Sequence, residues 1–316
     1  NGRVAILAPF VNDLLDAMDE KDAVREGPRL SASVLGGASL LSAVFLSSKS
    51  VNFLIFGLLP LQEQDRFQWL YWLFAASVCA VVLLVLYGLA VWLFFRNDSR
   101  PSIPKELVRR QLNILGAMAA AEWAAVLGLS VLIAAFLTAA FHQIAVPWVA
   151  FAIMFSLLIF SFLSPRDFRQ RIDWSFLIYL ASLIGLVGAM KHIGLDVRIA
   201  ENLSWLTQLM EHDLLSFIAM LSAAIFVIRL ALPINATVVI FAAVLLPAAV
   251  HVGANPWIVG FVILLLSENF IWPYQAPYYA QYQSIVVPAA AARHPRLVML
   301  HCAEYGMKLA AIYASF

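Results

Sequence analysis

The chain has 316 residues, of which 63% are hydrophobic and 12% charged. Soluble domains run near ~45–50% apolar and ~25% charged, so this composition excludes an ordinary water-soluble globule. The 20 Lys and Arg against 19 Asp and Glu leave a net charge of +1, which excludes a nucleic-acid binder held by bulk positive charge. Cys79 and Cys302 sit in apolar surroundings and form neither a disulfide framework nor a zinc spacing. The reading is an all-α polytopic membrane protein. The chain opens at Asn1 without an initiator Met and ends at Phe316 inside an apolar run. It therefore reads as a fragment that lacks membrane segments at both ends.

A helix needs roughly 20 apolar residues to cross about 30 Å of hydrocarbon. In chain order, an apolar arm VAILAPF follows Asn1-Gly2-Arg3 and ends at the polar Asn12-Asp13. A charged link over 19–29 then leads to an interrupted span at 36–52, where Ser39, Ser42, Ser47, Ser48, Ser50, Asn52 and Lys49 punctuate apolar residues. Full-length spans are expected at about 69–95, 121–141, 145–163, 173–191 and 297–316. Continuous apolar runs of this length are helices, not barrel strands.

Orientation follows from Lys and Arg in short loops. Loop 96–113 carries Arg96, Arg100, Lys105, Arg109 and Arg110, and loop 164–172 carries Arg166, Arg169 and Arg171. Both are assigned to the cytoplasm, which places 60–68, the loop near His142 and the stretch 192–213 outside. Residues 214–231 and 236–250 are apolar but short, and Leu232-Pro233-Ile234-Asn235-Ala236-Thr237 lies between them. Pro233 removes a backbone donor and disfavours helix at the residue before it. Only one net crossing fits between the external 213 and the internal Arg-His-Pro-Arg at 293–296. The segment is therefore expected to be a re-entrant hairpin opening outward, with its tip near the midplane. Two ordinary helices would be the bland alternative.

The span at 255–280 is itself interrupted by Ser267-Glu268-Asn269-Phe270-Ile271-Trp272-Pro273-Tyr274-Gln275-Ala276-Pro277. Unwound backbone at membrane depth survives only inside protein or beside a wet cavity. A hairpin arm followed by a broken helix thus occurs twice, in opposite orientations. Such inverted repeats, each with a re-entrant hairpin and a broken helix, mark a transporter whose site lies where the breaks meet.

At these residues the sequence resembles the divalent anion–sodium symporter family, the dicarboxylate/sulfate permeases. The family's first broken helix, A-S-x-G-G-x-x-T-x-x-G-T-x-x-N, is similar to Ala38 through Asn52 without a gap, with Ala38, Ser39 and Asn52 retained. Its second, S-x-x-F-x-x-P-x-x-x-P, is similar at Ser267, Phe270, Pro273 and Pro277. The outward hairpin is similar at Asn235, Thr237, Leu245-Leu246-Pro247 and Gly253-Ala254-Asn255-Pro256, and Ile172-Asp173-Trp174 opens a span in the family's manner. There are departures. The family's glycines fall on Leu41, Ser42 and Ser48 and its threonines on Phe45 and Lys49, and its Ser-Asn-Thr tips meet Ile234 in one hairpin and Gly2 in the other.

The resemblance implies a secondary transporter of di- or tricarboxylates or sulfate, working by elevator-type alternating access as a homodimer in a bacterial inner membrane. Coupling to Na+, coupling to H+ and anion exchange stay open. An anion channel using the same helix ends is the alternative. Neither an enzyme nor a nucleic-acid partner is expected, and no cofactor beyond Na+. Residues 1–95 and 214–316 would form the transport domain, 96–120 an interfacial linker, and 121–213 scaffold spans with an interfacial helix near 199–212.

The substrate-binding candidates are Asn1, Arg3, Asn235, Thr237, Lys49 and Arg229. Asn235 and Thr237 also suit a simple helix cap, and a helix N-terminus attracts anions in either case. Ser47, Ser48, Asn52, Ser267, Glu268 and Asn269 are the ion-coupling candidates. Lys49 and Glu268 are the ionisable residues deepest in the broken helices; such groups pair with each other or line a path. A tethered Lys49 ammonium would stand where the resemblance places a sodium ion.

Overall fold

A computed structural model of the chain describes residues 2–96, 117–138, 144, 146–171, 204–286 and 294–315, with isolated helical positions between 174 and 194. Among the described residues there are helices and no strands. The chain divides into two compact units, Pro104–Leu183 and the remainder, Asn1–Ile103 with Ile184–Phe316.

The larger unit begins with α1 (Gly2–Asp16) and α2 (Glu20–Ser39), which pack on each other. The stretch read as a charged link is the first half of α2. Glu20 and Asp22 lie in its first turn, where carboxylates complement the helix dipole, and Arg25 pairs with Asp22 at 2.7 Å one turn on. After Ser39 the chain unwinds through a short 3-10 turn (Leu46–Ser48) and re-forms as α3 (Ser50–Leu58). A short α4 (Leu61–Arg66) leads to α5 (Trp69–Phe94). The latter buries Trp72, Ala76, Cys79, Leu83 and Tyr87 while Phe74, Val78, Val81, Val85 and Trp92 are exposed. A helix apolar on every side suits hydrocarbon as solvent.

The second half of this unit starts at α9 (Ser204–His212), followed by α10 (Leu214–Arg229) and α11 (Ile234–His251). Asp213 caps α10 by accepting the Ser216 N–H at 3.1 Å. Pro233 starts the turn into α11 because it has no N–H to lose there. Next come α12 (Pro256–Ser267), a 3-10 turn (Pro273–Gln275), α13 (Pro277–Ile285) and α14 (Pro295–Tyr313). The Asn255 side chain accepts the Trp257 N–H at 2.9 Å, with Pro256 as the first residue of α12. Twelve residues rise only about 18 Å, so α12 falls short of the roughly 30 Å of a bilayer's hydrocarbon. It forms the core of the unit, buried along almost its whole length and packed on α3, α10, α11 and α14. Gly260 permits the closest approach: a Cβ there would lie 2.5 Å from Ile55 Cγ2 on α3. α14 packs along α5 and α2.

The smaller unit contains α6 (Ala120–Leu137), α7 (Val146–Ile159) and α8 (Pro165–Arg171); α6 and α7 pack together. Among the described residues, α5 and α11 are long and apolar enough to cross a membrane. The expected span at 173–191 has only isolated described positions. Most of linker 96–120, residues 199–203 of the expected interfacial helix, and Asn1 lie outside the described residues.

Candidate functional site

Each interruption frees carbonyls that a continuous helix would have used, and buried carbonyls need donors. In the first break, Asn52 of α3 reaches back and donates its amide to Ser42 O at 2.7 Å and Phe45 O at 2.9 Å. Trp72 donates its indole N–H to Ala43 O at 3.0 Å. From α1, Arg3 spans the gap: Nη1 donates to Ala38 O at 2.9 Å, and Nη2 to Ser48 O at 3.1 Å and Ser48 Oγ at 2.8 Å. Ser39 is buried and turns its hydroxyl onto Leu35 O, whereas Ser47 is exposed.

The second break is held in the same way from α10. Arg229, the last residue of α10, is buried; Nη2 donates to Asn269 O at 2.7 Å and Gln275 O at 3.1 Å, and Nη1 to Leu232 O at 2.5 Å. Gln275 returns its amide to Arg229 O at 2.7 Å and accepts the Ile271 and Trp272 N–H groups through Oε1. Tyr274 donates its hydroxyl to Leu230 O at 2.6 Å. Thr237 is fully buried, and its hydroxyl donates to Pro233 O at 3.2 Å within the turn. Asn235, beside it, is exposed. Ser267 Oγ and Asn269 Oδ1 are buried without a hydrogen-bond partner among the described residues.

One ion pair joins the two breaks. Lys49, at the start of α3, binds Glu268, the residue that ends α12. Tyr278 of α13 donates its hydroxyl to the same Glu268 Oε1 at 2.8 Å, and the Lys49 ammonium lies 5.1 Å from the Tyr278 ring centroid. Behind them, α14 contributes a fully buried ion pair of Glu304 with Lys308 at 2.8 Å, with His301 Nδ1 3.5 Å from Glu304. Sequence reasoning passed over this cluster and Gln275. Its signal was present, as an acid and a base four residues apart inside an apolar run.

A cavity of about 350 Å³ opens beside the first break, lined by Arg3, Gly36, Gly37, Leu40, Leu41, Phe45, Leu84 and Tyr87. No residue of the second break lines it. Among the site candidates, the structure therefore brings Arg3 to Ser48, Lys49 to Glu268, and Arg229 to Asn269. Asn235 and Ser47 stand apart at the surface. Groups of His, Cys, Asp and Glu able to hold a metal are absent among the described residues.

Comparison with known proteins agrees with this architecture. Residues 3–286 match the model of the sodium:sulfate symporter transmembrane region. An uncharacterized transporter of Haemophilus influenzae is 25% identical over 225 residues, covering 70% of this chain and 47% of that protein. The chain thus spans about half the length of that relative. A match extending over most of the sequence, through both interrupted helices and both arms around them, decides the family: this chain belongs to the sodium:sulfate symporters, integral membrane proteins of the transporter class.

Proposed function

We propose that the protein is a secondary transporter of small divalent anions, either di- or tricarboxylates or sulfate. It works by elevator-type alternating access as a homodimer in a bacterial inner membrane. The observation that carries this reading is the Lys49–Glu268 pair, which ties two interrupted helices from opposite ends of the chain into one buried cluster. The helices α3 and α13 start at these breaks, and a helix N-terminus favours an anion; Asn235, exposed at the start of α11, would offer an amide from the neighbouring turn.

The compact unit that contains both breaks supports a body able to move as one piece, with α6–α8 in the smaller unit as part of the scaffold. Arg166, Arg169 and Arg171 on α8 support a cytoplasmic position for that loop. A homologue from a bacterium supports the inner membrane.

The test is uptake of labelled succinate and labelled sulfate into proteoliposomes containing the full-length protein. Flux that saturates with external anion, and that an excess of the unlabelled anion suppresses, is expected. Flux rising linearly with concentration would leave an anion channel in its place. No flux of either anion would remove the substrate assignment.

A further inference from the structure

The two interruptions carry one device, built twice. In each, a guanidinium from the neighbouring hairpin arm sits among the carbonyl oxygens that the break exposes. Arg3 collects Ala38 O and Ser48 O with the Ser48 hydroxyl; Arg229 collects Asn269 O and Gln275 O of the break and Leu232 O of the turn after its own helix. Clusters of unwound carbonyls and a hydroxyl at a broken helix are the hard oxygen sets that take a dissolved alkali cation in secondary transporters. Here a planar, permanently charged group with several N–H donors already satisfies them.

The charges around the breaks then have a simple balance. Lys49 is neutralised by Glu268, and Lys308 by Glu304. No carboxylate of the described residues pairs with Arg3 or Arg229. Counting the Lys, Arg and Glu side chains just named, the described residues around the breaks carry an excess of two positive charges. One dianion cancels it.

We infer that Arg3 and Arg229 are resident counter-cations, and that they make this protein a sodium-independent obligate exchanger of divalent anions. The inference rests on the anion-transport reading above. A dissolved cation leaves with its substrate, so the empty carrier can return uncharged. A tethered guanidinium cannot leave. The empty site keeps both charges, and moving unneutralised charge through the bilayer is strongly opposed. The carrier therefore returns only with a second anion aboard.

The experiment uses the full-length protein in proteoliposomes, with labelled succinate or sulfate outside. Vesicles hold either unlabelled succinate or no transportable anion, in sodium chloride or choline chloride. Uptake is expected with internal succinate and at the background of protein-free vesicles without it. Replacing sodium by choline is expected to change nothing. Sodium-driven accumulation into anion-free vesicles would overturn the inference while leaving anion transport standing. Absence of flux under every condition would remove the transport reading and the inference together.

A variant series separates charge from fold. Arg3→Lys keeps a fixed cation and should keep obligate exchange. Arg3→Gln vacates carbonyls at an exposed position and leaves Arg229 as the remaining fixed charge, so sodium should now stimulate exchange, and the double variant Arg3→Gln/Arg229→Gln should allow net uptake that sodium stimulates. Should the double variant fail to fold, the sodium response of Arg3→Gln against Arg3→Lys decides alone. Arg3→Gln protein whose exchange stays indifferent to sodium would overturn the role given to Arg3.

Discussion

Lys49 and Glu268 form an ion pair across two interruptions that lie in different halves of the chain, and their surroundings are unequal. The Lys49 side chain is 23% exposed and that of Glu268 is 3% exposed. Removing Lys49 strands a buried carboxylate, whereas removing Glu268 leaves an ammonium that can move toward water. Breaking a buried pair from one side costs about 3–5 kcal/mol, and the partly exposed lysine places this case at the low end. Lys49→Met is expected to lower the apparent melting temperature more than Glu268→Gln. The double variant should resemble Glu268→Gln alone. Additive losses in a thermal-shift series would show that the two residues do not stabilise each other.

Asn52 holds the first break closed by giving both amide hydrogens to carbonyls of the unwound segment. Asn52→Ala leaves two acceptors without their donor, at a cost of about 1–3 kcal/mol. Asn52→Asp should be worse, because it sets a carboxylate against two carbonyl oxygens. Melting temperatures in detergent check the order wild type, Ala, Asp. An Asp variant as stable as wild type would contradict the clamp.

Gly36 and Gly37 are adjacent on α2 and should respond in opposite directions. A Cβ on Gly36 would lie 2.3 Å from the Tyr87 hydroxyl and 2.5 Å from its ring, and that hydroxyl is anchored to Ala32 O at 2.8 Å. A Cβ on Gly37 meets nothing within 4 Å. Gly36→Ala is expected to destabilise by about 1–3 kcal/mol through overpacking, and Tyr87→Leu should relieve part of it. Gly37→Ala should gain about 0.5–1 kcal/mol from reduced backbone freedom in a helix. Equal effects from the two would mean that Tyr87 does not pack against Gly36.

The Asp213 cap gives a pH signature. The Ser216 hydroxyl and N–H both donate to its carboxylate and hold its pKa below the ordinary aspartate value. A carboxyl with a depressed folded-state pKa adds stability above its unfolded value, and this is lost as pH falls through the folded value. The difference in melting temperature between wild type and Asp213→Ala should be constant near neutrality. It should shrink below about pH 4, where an unfolded-state aspartate protonates. A difference that grows on acidification would contradict the cap.

The interruptions themselves were legible because they are written in side chains. Pro273 and Pro277 cannot continue a helix, and Ser, Asn and Lys in an apolar run at 39–52 have no reason to face lipid. The same logic located α10 and α11 around Pro233. The link at 19–29 was misread because charge density alone does not separate a loop from a helix. Pairs such as Arg25 with Asp22 become visible only at helical spacing, and Glu26 is buried by its tertiary neighbours.

Membrane residence, the all-helical class, the two broken helices and the family were determined by the sequence, since apolar length, proline and polar placement act locally. The partners of Arg3 and Arg229 were decided by tertiary structure alone. Their acceptors are backbone carbonyls, which every residue possesses and no letter of the sequence distinguishes. Which carbonyls lose their helical donor depends on where the chain unwinds, and which guanidinium reaches them depends on how α1 and α10 pack against the broken helices.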